Sequence, residues 1–147
     1  MSVHSPPTAA RYLPDWTRRR FILLERTPHW AAAVQSELQL LLPNSAGLIS
    51  VESCQSSRDA LDLLQLRNSV GLILVPAGIE KECCHLLSKT AMLSRERPAL
   101  IVAEDQHRGV LPVLLESGPS SVLTNVTSDR PIALWCQQAL QSEFDEF

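Results

Sequence analysis

The run Val70-Gly71-Leu72-Ile73-Leu74-Val75 is continuously apolar, and Pro76 follows it directly. A strand that shows no polar alternation is typical of a parallel sheet covered on both faces. Four further apolar runs, at residues 21–24, 47–51, 99–103 and 121–124, alternate with stretches of helical periodicity. This alternation predicts an α/β fold, a doubly wound five-stranded parallel sheet with strand order 2-1-3-4-5 and helices on both faces.

The first helix carries the clearest local signals. Thr27 and Pro28 have the residue types of an N-cap and a first-turn proline, and apolar residues recur at helical spacing from Trp30 to Leu41. A third helix is expected from Glu80 to about Ser94. These signals place helices between successive strands, as the predicted sheet requires.

The composition describes an ordinary domain. A chain of 147 residues can bury one hydrophobic core, and a net charge of −3 gives no support for binding nucleic acid. No apolar stretch approaches the roughly 18 residues that span a bilayer, so we expect a cytoplasmic protein without membrane contact. Prolines in residues 1–17 predict a flexible N-terminal arm, followed by a domain over residues 18–147.

Common cofactor signatures are missing from the sequence. The four cysteines, Cys54, Cys83, Cys84 and Cys136, lack the C-x-x-C spacing of a zinc or redox site. The turn after the first strand, residues 25–28, contains no glycine, and no P-loop occurs elsewhere. We therefore expect no metal, no nucleotide and no other cofactor.

From about residue 20 to residue 142, the chain resembles a response-regulator receiver domain with flavodoxin-like topology. The resemblance rests on five segments: residues 20–25, 60–64, 72–75, 98–102 and 118–125. It implies a phosphoacceptor aspartate after the third strand, two further acids that hold a divalent cation, a hydroxyl residue and a lysine. Cations are needed in such a site because negative charge accumulates on the transferring phosphoryl oxygens.

Carried over by position, the resemblance leaves almost none of this chemistry in place. The acidic pair corresponds to Glu25 and Arg26, so one carboxylate is kept and the other is replaced by a cation. The phosphoacceptor, hydroxyl and lysine positions correspond to Pro76, Ala103 and Asn125. No Asp or Glu occurs in residues 69–79, so a small misalignment would not restore an acceptor. The resemblance therefore implies a degenerate pseudo-receiver that is not phosphorylated by the family mechanism.

The first functional hypothesis is a non-enzymatic module that acts through protein–protein contacts in a signalling assembly. A homodimer of this chain is one such contact. The resemblance implies a contact face on the fourth helix, the fifth strand and the fifth helix. The corresponding residues are Val113, Leu114, Ser121, Leu134, Trp135 and Gln138.

The second hypothesis is a flavodoxin-like protein that binds a small molecule or a metal at the carboxyl ends of the strands, where such folds place ligands. Its candidate groups are Glu25 and Arg26 together with Glu104, Asp105 and His107. The competing interpretation of the second group is a solvated loop, in which Asp105 caps a short helix and His107 is exposed.

Overall fold

The computed structural model describes residues 18–66, 68–90, 92–93, 97–116 and 120–145, so the predicted arm of residues 1–17 lies outside it. Strands and helices alternate throughout this part of the chain. The strands are β1 (Arg19–Leu24), β2 (Ile49–Cys54), β3 (Ser69–Leu74), β4 (Ala99–Ala103) and β5 (Ser120–Thr124). The α-helices are α1 (Trp30–Leu41), α2 (Ser57–Leu64), α3 (Glu80–Thr90), α4 (Leu111–Glu116) and α5 (Arg130–Asp145).

The five strands form one parallel sheet in the order β2-β1-β3-β4-β5, which confirms the predicted topology. Leu24, the last residue of β1, lies opposite Cys54 at the end of β2 and Leu74 at the end of β3. The segments that follow these strands consequently leave the sheet at the same edge. Glu25, Arg26 and Pro76, which the sequence analysis named, follow β1 and β3 at this edge.

Alternate residues of each strand point to opposite faces and build two cores. Phe21, Leu23 and Ile73 pack under α1 and α5, whereas Ile22 and Leu72 face α2 and α3. Every residue of β3 and β4 is buried, as the continuous apolar runs predicted. Burial of each large side chain contributes roughly 1.5–3 kcal/mol to folding.

Gly71 in β3 allows a tryptophan to lie against the sheet. A Cβ atom at this position would lie 3.0 Å from Cη2 of Trp135 and 3.2 Å from the carbonyl oxygen of Pro98. The ring of Trp135 also meets Phe21 edge-on, with 6.1 Å between centroids. The missing side chain of Gly71 thus creates the space that seats α5 on β3.

Some predicted boundaries differ from the structure. Helix α1 starts at Trp30 with His29 as N-cap, so the predicted start at Thr27 and Pro28 was wrong. Strand β2 runs from Ile49 to Cys54 rather than over residues 47–51, because a 3₁₀ helix occupies Pro43–Leu48. Helix α3 ends at Thr90. No helix within the described ranges has the length and apolar character needed to cross a membrane.

Candidate functional site

Glu25 immediately follows β1 and is only 2% exposed. Its Oε1 accepts hydrogen bonds from the backbone N–H groups of His29 (3.1 Å) and Trp30 (3.0 Å). Its Oε2 accepts the hydroxyl proton of Ser53, at 2.9 Å. The carboxylate therefore caps the first turn of α1 and binds the end of β2, with both oxygens engaged inside the protein.

Arg26 is exposed and crosses the edge of the sheet towards the loop after β3. There Gly78 has a left-handed backbone with φ of 79°. A Cβ atom on Gly78 would lie 2.7 Å from Cδ of Arg26 and 3.0 Å from Nη1. The positive φ favours glycine at this position, and the missing side chain also leaves room for the end of the Arg26 side chain.

Pro76 lies two residues beyond the end of β3 and is buried. Its carbonyl oxygen accepts the N–H of Ile79 at 2.8 Å, which closes a turn. Proline supplies neither a nucleophilic side chain nor a backbone N–H. Ala103, at the end of β4, is fully buried and has no hydroxyl group. Neither side chain carries an oxygen that could accept a phosphoryl group or bind one.

Asn125 follows β5 and has a left-handed backbone with φ of 51°. Its backbone N–H donates to the carbonyl oxygen of Ala103 at 2.8 Å. Its side-chain nitrogen donates to Oδ1 of Asp105 at 3.0 Å, and Arg108 lies 3.7 Å from the same oxygen. Asn125 thus ties the ends of β4 and β5 together at an exposed surface.

A cleft of about 360 Å³ opens between the segments after β1, β3 and β4. It brings together Glu25, Arg26 and Glu104 among the predicted residues. Its other lining residues are Thr27, His29, Trp30, Val75, Ala77 and Gly78. The cleft thus contains one buried and internally bonded carboxylate, one exposed carboxylate and one guanidinium group.

The segment from Glu104 to His107 turns one polar side chain inwards. Glu104, rather than Asp105, is the N-cap of a 3₁₀ helix over Asp105–His107. Nδ1 of His107 accepts the N–H of Glu104 at 2.9 Å, and the ring is only 2% exposed. The expected Asp105 cap and the expected exposure of His107 were therefore wrong, whereas Glu104, Asp105 and Gln106 are exposed as a solvated loop predicts. His107 packs inwards and does not line the cleft.

No group of three or more His, Cys, Asp or Glu side chains suited to a metal ion occurs within residues 18–145 wherever the structure describes them. Arg26 lies beside Glu25 in the cleft, and a fixed positive charge opposes a divalent cation there. The cleft residues therefore do not fit the magnesium site that the family resemblance implied.

Three of the predicted face residues meet in a second groove. Ser121, Trp135 and Gln138 line it together with Pro98, Ala139 and Ser142, around a volume of about 240 Å³. Leu134 precedes Trp135 on α5 and is 43% exposed, and Val113 on α4 is 51% exposed. Neither Leu134 nor Val113 lines the groove. The side chain of Leu114 is not among those that the structure describes.

The four cysteines are all unpaired thiols with raised pKa values. Burial, supported by nearby carboxylates, raises the pKa of Cys54 to about 11 and that of Cys83 to about 12. Burial also raises the pKa of Cys84 and Cys136. A protonated thiol is a poor nucleophile, so these side chains act as packing groups.

Sequence reasoning missed Ser53 and Gly78. Ser53 binds Glu25 through a contact between separate elements, which no local pattern reveals. Gly78 follows Pro76-Ala77, and a glycine shortly after proline is a turn signal that was available in the sequence.

No family model matches the chain, and no curated protein matches it. Several solved structures are similar to this chain. The signal receiver domain of an HD domain-containing protein from Pseudomonas fluorescens Pf-5 is 18% identical, with a TM-score of 0.65 over 88% of this chain and 92% of that one. The signal receiver domain of a protein described as a Luxo repressor from Vibrio parahaemolyticus is 15% identical, with a TM-score of 0.60 over 88% of this chain and 98% of that one.

A protein described as a response regulator from Chloroflexus aurantiacus J-10-fl is 15% identical, with a TM-score of 0.58 over 84% of this chain and 98% of that one. These likenesses cover most of each chain and agree with the strand order. The chain therefore has the flavodoxin-like fold of a signal receiver domain.

Proposed function

We propose that this protein is a non-catalytic pseudo-receiver, which acts through contacts with a protein partner in a cytoplasmic signalling assembly and is not switched by aspartyl phosphorylation. The observation that carries the proposal is the state of Glu25. Its carboxylate caps α1 and accepts from Ser53, so it is committed to structure rather than to a metal ion.

The neighbouring positions support the same conclusion. Arg26 supplies a positive charge beside Glu25, and Pro76 offers no acceptor oxygen. A phosphoryl group has neither a nucleophile to accept it nor a cation-binding set of acids to neutralise it. A receiver fold without this chemistry still presents its surfaces for contact with a protein partner.

The contact surface that we favour comprises the groove at Trp135 together with the side chain of Leu134. Leu134 exposes 43% of its surface and precedes Gln138, a lining residue of the groove, by one helical turn on α5. Trp135 is half-buried, so its ring contributes both to the core and to the groove. Aromatic residues next to exposed aliphatic groups are enriched at protein interfaces.

The test is affinity capture of the full chain from extract of its own cells, compared between wild type and Leu134→Asp. A charge on this surface should reduce recovery of a stoichiometric partner at least tenfold, because it would have to be desolvated in the complex. Met92→Asp is the matched control, since Met92 is 81% exposed and lies after α3, which packs on the opposite face of the sheet.

Recovery of the same partner by wild type and Met92→Asp, but not by Leu134→Asp, would support both the function and the surface. Equal recovery by all three proteins would move the contact to another face. Absence of any stoichiometric partner would overturn the proposed function.

A further inference from the structure

The cleft at the carboxyl edge of the sheet contains one guanidinium group, that of Arg26, without a partner among the residues that the structure describes. Arg26 lines this cleft and forms no ion pair or hydrogen bond with any other residue in the described part of the chain. A guanidinium group is always charged in a protein and offers five N–H donors in a planar fork. Such a group in a concave site favours an oxyanion as its ligand.

The carboxylate beside Arg26 does not satisfy this charge. Glu25 is buried, and three donors from His29, Trp30 and Ser53 occupy its oxygens. These hydrogen bonds stabilise the carboxylate internally, and no ion pair between Glu25 and Arg26 occurs. The positive charge of Arg26 therefore remains available to a ligand.

Residues with further donor groups line the same cleft. The hydroxyl group of Thr27 and the backbone N–H groups of Ala77 and Gly78 donate to no partner within the described residues. The absence of a side chain on Gly78 lets Arg26 lie against the loop after β3. The volume of about 360 Å³ falls within the range of about 300–1,000 Å³ that is typical of small-molecule sites.

We propose that this cleft binds a small oxyanion, a phosphate or carboxylate group, through the Arg26 guanidinium. The site would reverse the chemistry that the fold resemblance implied for this edge, since it attracts an anion where a cation was expected. The inference gives the ligand-binding hypothesis a specific form and is independent of the proposed protein contact. Because Arg26 is exposed, inorganic anions should bind in the millimolar range.

Glu104 makes the charge balance testable. Its exposed carboxylate also lines the cleft, so it should oppose a dianion more strongly than a monoanion. Neutralising it by Glu104→Gln should tighten phosphate binding several-fold and change acetate binding less.

The experiment is a titration of the isotope-labelled full chain with sodium phosphate and, separately, with sodium acetate, at constant ionic strength and pH 7.5. Amide and guanidinium shifts are followed by two-dimensional NMR. We expect saturable shifts that centre on Arg26, Thr27, Ala77 and Gly78. Arg26→Gln should weaken binding at least tenfold, whereas Arg58→Gln, on an exposed residue of α2 outside the cleft, should leave it unchanged.

A second variant tests the position of the guanidinium rather than its charge. Gly78→Ala would place a Cβ 2.7 Å from Cδ of Arg26 and should weaken binding while the net charge stays the same. The amide spectrum of Gly78→Ala shows directly whether this variant keeps the fold. If it does not, the comparison of wild type with Arg26→Gln still tests the site.

Binding of only one of the two anions would support the site and name the acid group it prefers. Absence of saturable shifts with both anions would overturn the proposal. Equal shifts in wild type and Arg26→Gln, or an equal loss in Arg58→Gln, would also overturn it, because binding would then be non-specific. None of these outcomes bears on partner capture, so the two proposals can fail separately.

Discussion

The Oε1 atom of Glu25 lies 3.0 Å from the backbone nitrogen of Trp30 and accepts its hydrogen bond. The contact joins the residue after β1 to the first residue of α1. The N-cap residue His29 has no side-chain cap bond of its own, so Glu25 supplies the acceptor from outside the helix. A negative charge at a helix N-terminus is favourable, which adds to the hydrogen bonds.

Loss of this cap should destabilise the protein. We expect Glu25→Ala to lower the free energy of unfolding by about 1–3 kcal/mol, because it leaves two amides and a hydroxyl without their acceptor. Glu25→Gln keeps one acceptor oxygen and should cost less. Urea denaturation measures both, with Asp62→Ala on the exposed face of α2 as the control. An unchanged midpoint in Glu25→Ala would contradict a structural role for the carboxylate.

Gly71→Ala should also destabilise the protein, by about 1–3 kcal/mol, because the new methyl group would press on Trp135 and on the carbonyl of Pro98. Gly47→Ala is the matched control, since its Cβ would meet nothing within 4 Å. Combining Gly71→Ala with Trp135→Phe should recover part of the loss by removing the second ring. Strict additivity of the two substitutions would argue against this contact.

Asn125 should tolerate glycine better than a branched residue. Its φ of 51° lies in the left-handed region, where a β-branched side chain is strained. We expect Asn125→Val to cost about 1–2 kcal/mol and Asn125→Gly to be close to neutral, with loss of the bond to Asp105 offset by relief of strain. Thermal unfolding of the two variants ranks them directly, and the opposite order would refute the assignment.

Cys83 should make stability fall at alkaline pH. Its folded pKa is raised from 9.0 to about 12 by burial, so above pH 9 the folded state binds more protons than the unfolded state. The free energy of unfolding therefore decreases as pH rises through this window, by at most about 1.4 kcal/mol per pH unit for one thiol.

Comparison of wild type with Cys83→Ala isolates this contribution from that of other groups. The difference in unfolding free energy between the two proteins should be constant below pH 8. At pH 10.5 the wild type should have lost about 1–2 kcal/mol of unfolding free energy relative to Cys83→Ala. Parallel curves over the whole range would show that ionisation of Cys83 is not linked to folding.

The sheet was predictable because apolar runs mark its central strands. Runs at residues 70–75 and 99–103 are wholly apolar, as burial on both faces requires, and strands β3 and β4 are fully buried in the structure. The start of α1 was not predictable from Thr27 and Pro28. The acceptor that sets this helix end is Glu25, and its position depends on β1 and β2 having already paired.

The edge of the sheet was predictable in location but not in detail. The sequence indicated that Glu25, Arg26, Glu104, Asp105 and His107 would share one site. The first three line one cleft, whereas Asp105 and His107 do not line it. No sequence signal indicated that His107 would turn inwards, because the bond from the Glu104 amide to Nδ1 forms only once the 3₁₀ turn exists. The packing of Trp135 on Gly71 depends likewise on the docking of α5 across β3.

We infer above all that the receiver fold of this protein carries no phosphorylation site. The measurement is the intact mass of the full chain after incubation with acetyl phosphate and Mg²⁺, beside an active receiver domain treated in the same way. We predict a phosphoryl adduct on the active domain and none on this protein, since the side chain of Pro76 has no nucleophilic oxygen and Arg26 opposes the metal. A stoichiometric, hydroxylamine-sensitive adduct on this chain would contradict that inference.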